Sequence, residues 1–140
     1  MKDHYIYVGQ ARYATSIVVK YLDTATVKVS TKFYNTTLPA DMIFTKEDVS
    51  TRDEQVEKFT REFRIHYRAC IGSLIYILST RVELSFSVHK LEKFSVNPGK
   101  LHYEGLINLL RYIRENKTLG LKYYANLCTE KIKYTLLDNI

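Results

Sequence analysis

From Tyr67 onward, apolar residues recur every three or four positions. Ile71, Leu74, Ile75 and Leu78 mark one face of a helix, and Tyr67, Cys70 and Ile77 widen it almost around the circumference. Such a helix is expected to be buried. Gly72 sits inside it, where a glycine costs roughly 0.5–1 kcal/mol relative to alanine, so a second helix is expected to cross closely there. After Thr80 and Arg81, Leu84, Val88 and Leu91 repeat at i, i+4 and i+7 beside Phe86 and Phe94, predicting a helix from Val82 to Phe94. Asn97-Pro98-Gly99 ends it. Leu106, Leu109, Leu110 and Ile113 form the stripe of a third helix, from Lys100 to Asn116. Short connections between the three favour antiparallel neighbours.

Upstream the pattern is mixed. Residues 5–8 (YIYV) read as a strand ended by Gly9, and Tyr13, Ile17, Val18 and Tyr21 give a helical face from Gln10 to Leu22. TATVKVST, residues 24–31, alternates weakly, as a strand or an irregular extended segment does. Residues 35–62 hold Pro39, many charges and no sustained period, and read as an acidic linker running over the surface. Helix resumes near Thr51 or Asp53, where Glu54 and Glu57 suit a helix start. Gly120 to Tyr124 read as a strand, paired with residues 5–8.

These elements divide the chain into a strand-plus-helix segment (1–34), an acidic linker (35–62), a helical region (63–125) and a tail (126–140) expected to be poorly ordered. The predicted class is mainly α, a small antiparallel helical bundle with short peripheral strands, with α+β as the alternative.

Composition narrows the functional classes. The longest apolar run, Leu74–Leu78, is far short of the roughly 20 residues that cross a bilayer. The first ten residues mix charge with tyrosine and lack a secretory core, so an intracellular, non-membrane protein is expected, in cytoplasm or nucleus. Cys70 and Cys128 are too few for a disulfide framework, and His4, His66, His89 and His102 show no metal-site spacing. No cofactor is expected. Of the net charge of +6, basic residues exceed acidic ones 10 to 4 over residues 64–125, against 4 to 7 over residues 41–63. The excess sits with the helices, where it suits either a polyanion or a plain solvated surface.

One string is specific. YRACIGSLIYILSTR, then Pro98-Gly99-Lys100-Leu101-His102 and LLRYIRENKTLGLKYY, resembles the C-terminal part of the reverse transcriptase region of copia-type LTR retrotransposon Pol polyproteins, upstream of RNase H. Tyr67, Arg68, Gly72, Ser73, Leu74 and Tyr76 match its Tyr-Arg…Gly-Ser-Leu motif, and Thr80 and Arg81 its Thr-Arg. Pro98 and His102 match Pro-x-x-x-His, Leu110, Arg111 and Tyr112 match Leu-Arg-Tyr, and Gly120 and Leu121 match Gly-Leu. The segment with Gln10, Tyr13, Ile17, Val18 and Tyr21 resembles the family's Gln-x-x-Tyr helix beyond the palm, and Leu38-Pro39 its Leu-Pro linker. Val82-Glu83 and Glu115-Asn116 stand where the family has Pro-Asp and Gly-Thr.

The resemblance implies a thumb-and-connection fragment. Its polymerase chemistry needs adjacent aspartates for two Mg²⁺ ions, and this chain has no Asp-Asp pair and no RNase H carboxylate set. No catalytic or metal residue is therefore expected, and the chain is no enzyme on its own. The implied partners are a primer–template duplex, RNA–DNA or DNA, and the palm and RNase H parts of the parent polyprotein. Arg81, Lys90, Lys93, Arg111, Arg114 and Lys117 are the candidate phosphate contacts; Arg81 could equally bond the last carbonyls of its own helix. Tyr67, Tyr76, Tyr103 and Tyr112 fall at core-compatible positions, so packing is expected of them rather than base stacking. His102 is expected to hydrogen-bond near the start of the third helix. The competing reading is a helical protein-interaction module or a decayed relic.

Overall fold

The computed structural model describes residues 4–23 and 35–124. The fold is mainly α. Strand β1 (Tyr5–Gly9) leads into α1 (Ala11–Ile17), which continues as a π-helical turn over Val18–Leu22. Helices α2 (Asp53–Phe63), α3 (Tyr67–Ile77), α4 (Ser85–Glu92) and α5 (Lys100–Glu115) follow, and β2 (Gly120–Tyr124) closes the unit. β1 and β2 pair antiparallel from Tyr5↔Tyr124 to Gly9↔Gly120, as the two β-rich runs predict. The expectations for residues 24–31 and 126–140 lie outside the described residues.

Helix α5 is the centre of the packing, touching α1 and its π turn, α2 and α4. Its predicted stripe, Leu106, Leu109, Leu110 and Ile113, is wholly buried, and Tyr103 and Ile107 join it. Each such side chain contributes roughly 1.5–3 kcal/mol over its exposed state. The helix expected to be buried nearly all round, α3, is one-sided: Tyr67, Cys70, Ile71, Leu74 and Ile77 face inward while Arg68, Gly72 and Tyr76 face out. Isoleucine and tyrosine on the outer side of α3 make its sequence more apolar than its surroundings require.

Two aromatic groups lock the bundle. Tyr103 stacks on Phe63 at 5.1 Å and meets Tyr67 edge-on at 5.2 Å, an arrangement that favours ring quadrupoles. On the other side of α5, the His102 ring stacks on Phe94 at 4.0 Å and tilts against Phe44 at 4.8 Å.

The linker expected at 35–62 packs as a strap over residues 35–52, and α2 begins at Asp53, as the sequence predicts. Asn108 Nδ2 donates to the Thr36 carbonyl at 3.0 Å, Ser87 and Thr37 hydroxyls bond at 2.7 Å, and the Ser50 hydroxyl donates to the Pro98 carbonyl at 2.6 Å. Its apolar residues Leu38, Met42 and Phe44 come down on Gly105 of α5, where a Cβ would lie 3.3, 3.0 and 3.2 Å from them. The close contact expected at Gly72 is found here instead, made by strap side chains rather than by a crossing helix. A Cβ on Gly72 meets nothing within 4 Å.

The helix predicted from Val82 to Phe94 is shorter at both ends, stopping at Glu92. A 3-10 turn at Val82–Leu84 precedes α4, which begins only at Ser85. Val82 stands where a proline would have started a helix cleanly.

Candidate nucleic-acid contacts

The residues that carry the family resemblance bind one another. The Thr80 hydroxyl donates to Gln10 Oε1 at 2.7 Å, tying the end of α3 to the start of α1. The Tyr13 hydroxyl donates to the Ser73 carbonyl at 3.1 Å, and Tyr21 and Ser73 hydroxyls meet at 3.2 Å. The buried Tyr67 hydroxyl donates to the Leu91 carbonyl at 2.7 Å, fixing α3 on α4. Burial raises the Tyr67 and Cys70 pKa values well above their usual ranges, so both stay protonated and neutral. Gln10, Tyr13 and Tyr21, in and around α1 and its π turn, thus meet Ser73 and Thr80, in and just beyond α3.

His102 takes its expected place. Its Nδ1 accepts the Gly99 backbone N–H at 2.8 Å, satisfying one of the donors that every helix start leaves open. Nδ1 as acceptor puts the proton on Nε2, which is buried without a partner among the described residues. Burial lowers the His102 pKa, opposed in part by the carboxylate of Asp48. Asp48 in turn accepts the Thr45 backbone N–H at 2.5 Å, which lowers its own pKa. Pro98 is buried beside this site, Arg68 projects from α3, and Gly120 ends the ribbon against Gly9.

The six basic candidates occupy unlike environments. Arg81 does not reach the surface. It is 1% exposed, its Nε donates to Glu83 Oε1 at 2.6 Å, and Nη1 and Nη2 find no acceptor among the described residues. The chain turns inward between α3 and the 3-10 turn, and the guanidinium goes with it; nor does it bond the last carbonyls of α3. Lys90 is half-buried against the strap, 3.4 Å from the Met42 carbonyl and 5.2 and 5.7 Å from the Phe44 and Phe86 ring centroids. That cation is attracted to two ring faces.

Lys93 is exposed at the end of α4. Arg111 and Lys117 are half-buried, and the exposed Arg114 pairs with Glu115 at 3.3 Å. By helical spacing, Lys100, Glu104, Arg111 and Glu115 share the wet face of α5, so acids interrupt the basic line. Among the four tyrosines expected to pack, Tyr67 and Tyr103 are buried and Tyr112 half-buried, but Tyr76 is 65% exposed, touching Tyr13 at 4.9 Å. The packing of the strap and the close contacts at Gly99 and Gly105 are not predicted by the sequence pattern; Thr45-x-x-Asp48, a capping-box spacing, was the available signal.

No family model matches the chain. It is 34% identical, over 43% of its length, to the retrovirus-related Pol polyprotein from transposon RE1 of Arabidopsis thaliana. It is 35% identical, over 42%, to that from transposon TNT 1-94 of Nicotiana tabacum. Part of this chain is related to retrotransposon Pol polyproteins. The chain spans only 5% and 4% of the length of those two relatives. It is also 30% identical to secreted RxLR effector protein 161 of Plasmopara viticola, over 42% of each. No solved structure matches.

Proposed function

We propose that this chain is a thumb-and-connection part of a copia-type reverse transcriptase region, non-catalytic alone, which grips the phosphates of a primer–template duplex inside the cell. The observation that carries this reading is the mutual bonding of the motif residues, Gln10 with Thr80 and Tyr13 and Tyr21 with Ser73. Their role is to hold helices in place, while the absence of an Asp-Asp pair leaves no catalytic metal site of the polymerase kind. Arg111, Arg114, Lys117 and Lys93 are then the residues for phosphate contact, and the palm and RNase H parts of a parent polyprotein supply the chemistry.

Primer extension on the purified chain tests the first half: no nucleotide incorporation is expected, and incorporation refutes it. Filter binding to an RNA–DNA duplex tests the second. Affinity should fall steeply with salt, and R111A/R114A should lower the log–log salt slope by about 2, near 0.9 for each phosphate that is no longer neutralised.

A second reading, a helical protein-interaction module, is favoured by the outward apolar side chains Tyr76, Val82 and Phe86, 65%, 60% and 76% exposed. Size exclusion with light scattering separates the two: self-association unaffected by duplex supports the module.

A further inference from the structure

The β1–β2 ribbon carries a surface that the phosphate-grip reading does not use. Its side chains alternate between faces, so the register places Tyr5, Tyr7, Lys122 and Tyr124 on one face and Ile6, Val8, Leu121 and Tyr123 on the other. On the first face Tyr5 and Tyr124 pair at 5.7 Å, and Lys122 Nζ lies 4.9 Å from the Tyr5 ring centroid. The phenol end of Tyr7 covers Gly9 and Gly120, where any Cβ would collide with it, and its hydroxyl donates to the Thr118 carbonyl. The two glycines thus let a ring settle onto the ribbon backbone. All three tyrosines remain 46–51% exposed.

No acidic residue occurs among residues 4–9 or 118–124, and a lysine stands in the middle of the face. Half-exposed rings anchored by backbone and by each other, with a cation over one of them, match the needs of stacked bases and their phosphates.

We propose that this face is a stacking platform for single-stranded nucleic acid, such as the unpaired template beyond a duplex. This rests on the reading that the chain handles nucleic acid, but uses different residues. Stacking reads a base by its ring face, so DNA and RNA strands bind alike.

The test is fluorescence anisotropy of the full chain with labelled single strands of about 15 nucleotides, one DNA and one RNA, beside a blunt RNA–DNA duplex. Y5A/Y124A should weaken both single strands at least tenfold, whereas Y5F/Y124F keeps them within about twofold and Y123A, on the opposite face, leaves them unchanged. Circular dichroism verifies that each variant keeps its helices. Single-strand binding that is absent, indifferent to Y5A/Y124A or equally lost in Y123A overturns the platform. So does concentration-dependent self-association that Y5A/Y124A abolishes while oligonucleotide does not compete, which makes the face an interface between copies. Duplex binding reports separately: its loss in R111A/R114A with single-strand binding intact bears on the phosphate grip alone, and its absence in the wild-type chain refutes that grip while leaving the platform standing.

Discussion

Helices α3 and α5 each carry a glycine in their interior, and the two glycines have opposite surroundings. Gly105 faces Leu38, Met42 and Phe44 of the strap at close range, while Gly72 faces open solvent. The same residue in the same kind of element therefore reports close packing in one helix and nothing intramolecular in the other. A glycine in a helix signals a missing side chain; only the neighbouring element decides whether that absence is used.

Substitution can break this comparison. The largest effect belongs to Gly99, at the start of α5, where a Cβ would fall on the Asp48 carbonyl oxygen of the strap. Backbone cannot step aside as a flexible side chain can, so G99A should cost about 3 kcal/mol or leave the chain unfolded, read by urea denaturation. G105L drives a side chain into the strap and should cost about 2 kcal/mol by overpacking. A loss under about 0.5 kcal/mol would mean that the strap does not sit on α5 in solution.

His102 sharpens the same region through pH. Its folded pKa is depressed below the ordinary 6.5 by burial, so the unfolded chain binds a proton that the folded chain refuses. Stability is then unaffected above about pH 6.5 and falls as pH drops through and below it. H102L should remove this slope between pH 7 and 5 while costing about 1 kcal/mol at pH 8, because the helix start is left without its side-chain acceptor. Asp48, whose pKa is depressed by the Thr45 N–H, contributes stability above its ordinary 3.8 that is lost only at lower pH, so the two windows separate. The smallest effect has the opposite sign: G72L should stabilise by about 0.5–1 kcal/mol, because leucine is the better helix former at an open site. Destabilisation there would restore the close crossing at α3.

Sequence pattern revealed what periodicity can encode. The stripe Leu106, Leu109, Leu110, Ile113 placed the inner face of α5 correctly, and YIYV with GLKYY gave the ribbon. The strap was illegible because Pro39, Ile43 and the charges around Leu38, Met42 and Phe44 leave no sustained period; each of the three is placed by packing on α5. The burial of Arg81 was illegible for a related reason. Charge predicts exposure on average, and its burial depends on how the α3–α4 junction turns, which no local pattern records. His102 was legible because a helix start has open N–H donors wherever it occurs.

The ribbon has one more consequence. Tyr5 and Tyr124 are opposed partners across it, so the described chain comes in and goes out at a single point, and the whole bundle hangs as a closed loop on a five-pair stem. Tension applied through the two flanks would act on that stem as on a zipper, opening Tyr5–Tyr124 first and Gly9–Gly120 last. Only then would force reach α1 and α5.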